Sequence, residues 1–220
     1  MSIAVAATLH YLAVTPGYQR SVAREIRQCF GTYEEILPGA KMKQCVSLTA
    51  AINESLRMAP PTPGCFWRVL MEDTMIDGHL IRRGTEVAVC QYAIHHAAEY
   101  FPQPYRFLPE RFDPTKASQF PPGATRAFNP FSTGPRSCPA RNFAERQISL
   151  CLARILWLAE CRPCRTDTLP SSVLDGKKYD TPRYVLRDVF TAERDGPVLE
   201  FQLRRDIDCP WKSEKVDLSS

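Results

Sequence analysis

Between Phe101 and Phe131 the chain is so dense in proline that neither a helix nor the interior of a sheet can run through it. Proline fixes φ, removes a backbone donor and pushes the preceding residue out of the helical region. The stretch FPQPYRFLPERFDPTKASQFPPGATRAFNPF carries many aromatics and little periodicity, so it reads as a long meander over a surface. Irregular segments of this length inside a compact chain are usually functional. Regular structure must lie on either side of it.

Upstream, residues 2–14 are apolar and read as a buried helix stopped by Pro16-Gly17. The run is too short to span a bilayer, which takes about 20 apolar residues, and it lacks the charged start of a signal peptide. Residues 18–30 place Val22, Ile26 and Phe30 on one helical face. Residues 45–58 place Leu48, Ala51, Ile52, Ser55 and Leu56 on another, and Pro60-Pro61 ends that helix. The segments CFWRVLM, TMIDGHLI and TEVAVC are rich in strand formers. Asp77-Gly78 signals a hairpin and Gly84 a further turn. Residues 91–100 return to helical character. Downstream of the meander, residues 140–159 form the best helix in the chain, with Ile148, Cys151, Leu152, Ile155 and Ala159 on one face. Residues 165–185 read as a polar loop, residues 188–203 as a terminal hairpin turning at Asp195-Gly196-Pro197, and the end from about Asp206 as a loose tail.

Composition narrows the function classes. The 220 residues carry a net charge of +4 without a basic stripe, which argues against nucleic-acid binding. The nine cysteines are odd in number and irregular in spacing, so a disulfide framework is not expected and a reducing compartment is. No quartet of them has zinc-ligand spacing. Cys161-Arg-Pro-Cys164 follows a helix instead of opening one, unlike a redox C-x-x-C. The adjacent His95 and His96 point apart on a helix and make a poor metal pair. The sequon at Asn53-Glu-Ser55 lies inside a helix and reads as unused.

Three short motifs carry chemistry. In Phe131-Ser-Thr-Gly134-Pro-Arg136-Ser-Cys138-Pro-Ala140, a Gly/Pro loop ends at a cysteine just before a long helix. The helix N-terminus offers unpaired N–H groups and partial positive charge, which favour a thiolate. Arg136 stands two residues away as an anion partner, and Phe131 would shield the sulfur from water. Glu54-Ser-Leu-Arg57 puts an acid and a base on one helix face, by itself only a weak solvated pair. Pro109-Glu110-Arg111-Phe112 adds an arginine that could join Glu54 and Arg57 in a buried network.

In this order and spacing the three motifs resemble the cytochrome P450 family: ESLR its E-x-x-R helix, PERF its meander, and FSTGPRSC its F-x-x-G-x-R-x-C haem loop. The resemblance runs from about residue 2 to 204 and is closest to the microsomal-type enzymes of fungal secondary metabolism. It implies a mainly α fold with small β-sheets, with residues 1–204 as the C-terminal part of a cytochrome P450 domain and 205–220 as a tail. It further implies a haem b cofactor with Cys138 as axial iron ligand, and Arg68 and Arg136 on the haem propionates. Phe131 would flank the haem, and Glu54, Arg57 and Arg111 would form a structural network behind it. Residues around Pro61–Phe66 would line a pocket for a small apolar substrate.

The implied activity is monooxygenation, with electrons from NADPH–cytochrome P450 reductase. The full-length relatives would sit on the cytoplasmic side of the endoplasmic reticulum membrane. Two departures qualify this. Ala140 stands where the family usually has glycine. The chain also starts after the point where the family's membrane anchor and acid–threonine pair are expected, so no catalytic proton-delivery residue is assigned. The alternative expectation is therefore an inactive remnant or a haem-binding or interaction module.

Overall fold

The computed structural model describes residues 1–164, 173–174, 177–178, 182–194 and 198–204. Its helices are α1 (Ser2–Val14), α2 (Pro16–Cys29), α3 (Ala40–Lys43) and α4 (Val46–Met58), followed by strands β1 (Arg68–Val69), β2 (Thr74–Ile76), β3 (His79–Ile81) and β4 (Glu86–Val87). Next come α5 (Gln91–His95), a 3-10 turn at Pro109–Phe112, α6 (Ala124–Ala127) and α7 (Arg141–Leu158). The chain closes with β5 (Ala159–Pro163), β6 (Val173–Leu174), β7 (Lys177–Lys178) and β8 (Leu199–Leu203). Among the described residues every sheet is a two-stranded antiparallel pair: β1–β4, β2–β3, β5–β8 and β6–β7. The mainly helical reading with small sheets holds.

α1 is apolar on all sides, and nine of its thirteen residues are buried, which is the pattern of a helix inside a core. α4 and β5 pack on it, and α2 packs on α7. Leu12, Ile26, Leu48, Leu152 and Leu156 meet in this core, each at 0–2% exposure. A side chain of that size contributes roughly 1.5–3 kcal/mol when fully buried. The joint between α1 and α2 is Thr15, at φ −125° and ψ 70°, outside the helical region that a following proline disfavours. Pro16 then opens α2, where its missing N–H costs nothing.

The β2–β3 hairpin turns where the sequence indicates. Asp77 and Gly78 both have positive φ, 48° and 78°, as a type I′ turn requires. The helix expected over 91–100 is shorter than read, ending at His95, after which residues 96–100 make turns.

Among the described residues, no pairing joins 188–194 to 198–203 as the expected hairpin would require. Residues 199–203 pair instead with β5, directly after α7, while Arg187 and Glu193 make an isolated bridge. The Asp195–Pro197 turn, the tail from 205 and much of the 165–185 loop lie outside the described residues.

Gln19 explains why the chain turns back at β5. Its buried side-chain amide donates to Leu12 O at 3.2 Å and Cys161 O at 2.7 Å, and accepts from Cys161 N at 3.0 Å. One side chain thus caps the free edge of β5 and fixes it to α1. Replacing Gln19→Leu strips both backbone groups of Cys161 of this partner. It should lower stability by about 1–3 kcal/mol, read as a lower urea midpoint.

Candidate functional site

The loop before α7 is held by its own backbone. Ser132 N donates to Asn129 O at 3.0 Å, Ser137 N to Gly134 O at 3.0 Å, and Cys138 N to Phe131 O at 2.9 Å. Gly134 sits at φ 72°, a left-handed conformation that glycine adopts freely. Ser132 takes φ 59° at the other side of the turn. Cys138 follows, exposed, two residues before the helix N-cap at Ala140. Ala140 has φ −91° and ψ 11°, a negative-φ conformation that an alanine accepts. Its departure from glycine therefore strains nothing in the backbone.

Cys138, Arg136, Arg68 and Phe131 line one cavity of about 540 Å³, within the size range of cofactor sites. Its walls are otherwise mostly apolar, with Leu56, Phe66, Phe143, Ile148 and Phe190 beside the hydroxyl residues Thr62 and Ser132. Pro61, Thr62 and Phe66 line it, as read for the 61–66 segment. Arg68 comes from β1 and bonds the neighbouring Trp67 O at 2.8 Å, and Arg136 comes from the turn before Cys138. Arg141 lies over the Phe131 ring at 5.7 Å, pinning it beside the cysteine.

The donor set is one soft thiol in an apolar wall with two guanidinium groups. It fits a flat, apolar, iron-bearing macrocycle with two carboxylates. Among the described residues no group of three or more His, Cys, Asp or Glu offers a competing metal site.

Behind the cavity lies an ion network. Glu54 and Arg57 have fully buried side chains and that of Arg111 is nearly so, so Glu54 and Arg57 are not the solvated pair their tetrapeptide alone suggests. Arg57 binds Glu54 with two parallel bonds of 2.8 Å, the fork geometry that makes such pairs strong. Leu108 N donates to Glu54 Oε1 at 2.9 Å, and Arg111 Nε to the same oxygen at 3.3 Å. The remaining reach of the arginines goes to backbone: Arg57 to His95 O at 2.8 Å, Arg111 to Pro102 O at 2.6 Å and Gln103 O at 3.0 Å. Burial pulls the Arg111 guanidinium below its ordinary value, partly offset by Glu54.

The sequence gives no sign of how this network reaches the cysteine loop. α5 makes the link. The His95 carbonyl accepts from Arg57, while its ring Nε2 accepts from Asn129 N at 3.1 Å. Gln91 donates its side-chain amide to Asn129 O. The peptide groups that open the cysteine loop are thus gripped on both sides.

Because Nε2 accepts, the ring is neutral and carries its proton on Nδ1. Burial first, then the Arg57 charge, push His95 down from 6.5 to about 4. The same causes, in the same order, push His96 down to about 3. His96 turns away to stack on Tyr92 and Tyr105, so the two histidines converge on nothing.

Cys161 is buried on β5 and donates to Leu9 O at 3.6 Å. Burial pushes its thiol up to about 11, which removes it from any C-x-x-C chemistry with Cys164. Phe143, Ala144 and Ile148 form an α7 stripe that periodicity could have assigned to the cavity. Phe190, at φ 77°, carried no such signal.

The cytochrome P450 family model matches residues 1–176. A cytochrome P450 monooxygenase of Gibberella zeae is 38% identical over 210 residues, covering 93% of this chain and 47% of the relative. Cytochrome P450 monooxygenase lcsN of Purpureocillium lilacinum is 38% identical over 206 residues, covering 92% and 60%. Cytochrome P450 monooxygenase apf7 of Gibberella fujikuroi is 37% identical over 210 residues, covering 92% and 39%. The chain spans about half the length of the curated relatives it matches.

Two outcomes follow from the network. Glu54→Gln leaves two buried guanidinium groups short of a counter-charge and should cost about 3–5 kcal/mol, measured by chemical denaturation. The neutral His95 also ties stability to pH. Between 6.5 and about 4 the unfolded chain takes up a proton that the folded ring refuses, so stability falls as pH falls through that window. The His95 share is on the order of 3 kcal/mol. His95→Gln keeps an acceptor for Asn129 N without the titration, and should flatten the urea midpoint between pH 6.5 and pH 4 by that share.

Proposed function

The chain belongs to the cytochrome P450 family, and from that premise we propose that it carries the haem-thiolate site of a monooxygenase acting on a small apolar molecule. The observation that carries this reading is the convergence of Cys138, Arg136 and Arg68 on one apolar cavity braced by the buried Glu54 network. When bound, haem supplies dioxygen activation, and thiolate ligation favours O–O cleavage.

The chain's own residues hold and shield that group. Cys138, in a loop tied by its own backbone bonds and lining the cavity, would ligate the iron as a thiolate. Arg68 and Arg136 pair with the haem carboxylates by charge-assisted hydrogen bonds. Phe131, held under Arg141, lines the same cavity as Cys138 and would flank the bound haem. Phe66, Phe143 and Ile148 give the cavity a mostly apolar lining, which favours an apolar substrate. Glu54, Arg57 and Arg111 touch none of these partners and act by fixing the meander and, through α5, the cysteine loop.

The electrons would come from NADPH–cytochrome P450 reductase, and the setting would be secondary metabolism on the cytoplasmic face of the endoplasmic reticulum. Among the described residues no helix is long and apolar enough to cross a membrane. A second reading is a haem-binding module without turnover.

The test is reconstitution. The 220-residue chain is incubated with haemin, reduced and exposed to carbon monoxide. The expected result is a Soret band at the thiolate position, abolished in Cys138→Ser. Arg136→Leu and Arg68→Leu should each weaken haemin affinity about 10- to 100-fold, the worth of one charged hydrogen-bond partner. No thiolate band from the folded chain would sink the site assignment. A band without substrate turnover in the presence of reductase and NADPH would select the second reading.

A further inference from the structure

We propose that Cys65 and Cys90 are a dithiol that closes to a cross-strand disulfide by exchange with a small-molecule disulfide, for which glutathione disulfide is the model oxidant. The pairing rests on backbone geometry and is independent of the haem reading. Cys65 and Cys90 face each other in an isolated antiparallel bridge. The bridging bond runs from Gln91 N to Gly64 O at 3.4 Å, one residue outside the pair on each chain. That makes Cys65 and Cys90 a non-hydrogen-bonded pair, the closer of the two antiparallel arrangements, with Cα atoms about 4.5 Å apart and side chains on one face. Disulfides need roughly 4.4–6.8 Å between Cα atoms, so the bond can form without moving either strand far.

Burial, then the charge and hydrogen bond of Cys90, with Asp188 adding to them, push the Cys65 thiol up. Access differs between the two partners. Cys65 lines a second cavity of about 320 Å³, with Thr62, Trp67 and Asp188, and Trp67 is 62% exposed at its edge. Cys90 does not line that cavity, and its thiol donates to Pro63 O at 3.6 Å. Cys65 is therefore the attacking sulfur and Cys90 the resolving one.

The Cys65 thiolate attacks one sulfur of glutathione disulfide and expels one glutathione thiolate. The Cys90 thiolate then attacks Cys65 Sγ and expels the second. Two protein sulfurs are oxidised by two electrons, the oxidant is reduced to two glutathiones, and the two thiol protons end on them.

A second adjacent pair, Cys29 and Cys45, sets the contrast. Cys45 is fully buried at 0% exposure, so no oxidant reaches it. Closing the 65–90 pair would tie the strand that carries Phe66 and Arg68 into the main cavity to the residue that starts α5. It is a covalent link between the cavity wall and the helix that grips Asn129.

The folded 220-residue chain is treated with glutathione disulfide, acid-quenched, alkylated and digested with trypsin without reduction. Cleavage after Arg57 and Arg68 isolates Cys65 in the peptide Met58–Arg68, and cleavage after Arg83 and Arg106 isolates Cys90 in Gly84–Arg106. The expected product is these two peptides linked, lighter by about 2 Da than their sum, for the two hydrogens lost. In Cys90→Ser the expected product is a persistent glutathione adduct on Cys65, and in Cys65→Ser an unmodified Cys90. Because the linkage is read on the unsubstituted chain, a variant that fails to fold does not remove the test. Stable glutathione adducts on both cysteines of that chain would overturn the proposal. So would two free thiols there while the exposed Cys138 and Cys151 are modified.

Discussion

One carboxylate with no access to water holds the irregular half of this protein in place. Glu54 receives two bonds from Arg57, one from Arg111 and one from the Leu108 backbone. A charge buried this deeply is tolerable only when partners replace its hydration completely. Those partners come from its own helix and from the proline-rich stretch 101–112, which has little regular hydrogen bonding of its own. The meander is therefore ordered by what it supplies to α4. Arg57 and Arg111 repeat the logic outward by taking carbonyls at His95, Pro102 and Gln103.

The cavity inherits its shape from that arrangement. α4 contributes Leu56 to the lining, one residue from Arg57, so the helix that bears the ion pair also bears a wall. α7 contributes Phe143, Ala144 and Ile148 on one side while Leu152 and Leu156 face the core. Cys138 stands in the loop between these two supports and belongs to neither. Its position depends on short backbone bonds within residues 129–141 and on the grip of α5 upon Asn129.

Much of this was legible in the residues. The cysteine loop, the Asp77-Gly78 turn and the all-apolar α1 each have a local cause, and local causes are written in short windows. The Glu54–Arg57 spacing was visible too, but its burial was not. An E-x-x-R on an isolated helix is a surface pair until another segment covers it, and only the ordered resemblance of three motifs pointed to the cover. Two further features escaped for a different reason. His95 acts through its carbonyl and a ring acceptor toward backbone, which any residue of the right shape at that point could approach. β8 pairs with a strand some forty residues away, a distance at which alternation in Leu199–Leu203 cannot choose between neighbours. The hairpin expected locally lost to an edge that Gln19 had already prepared.

The double role of His95 has a consequence for how the molecule is joined. Its carbonyl is committed to Arg57 and its ring to Asn129, while Arg57 shares Glu54 with Leu108. The amides of Leu108 and Asn129 are far apart in sequence, yet one short chain of bonds runs between them through Glu54, Arg57 and His95. The meander and the cysteine loop are therefore tied to each other through α5, although no strand or helix joins them.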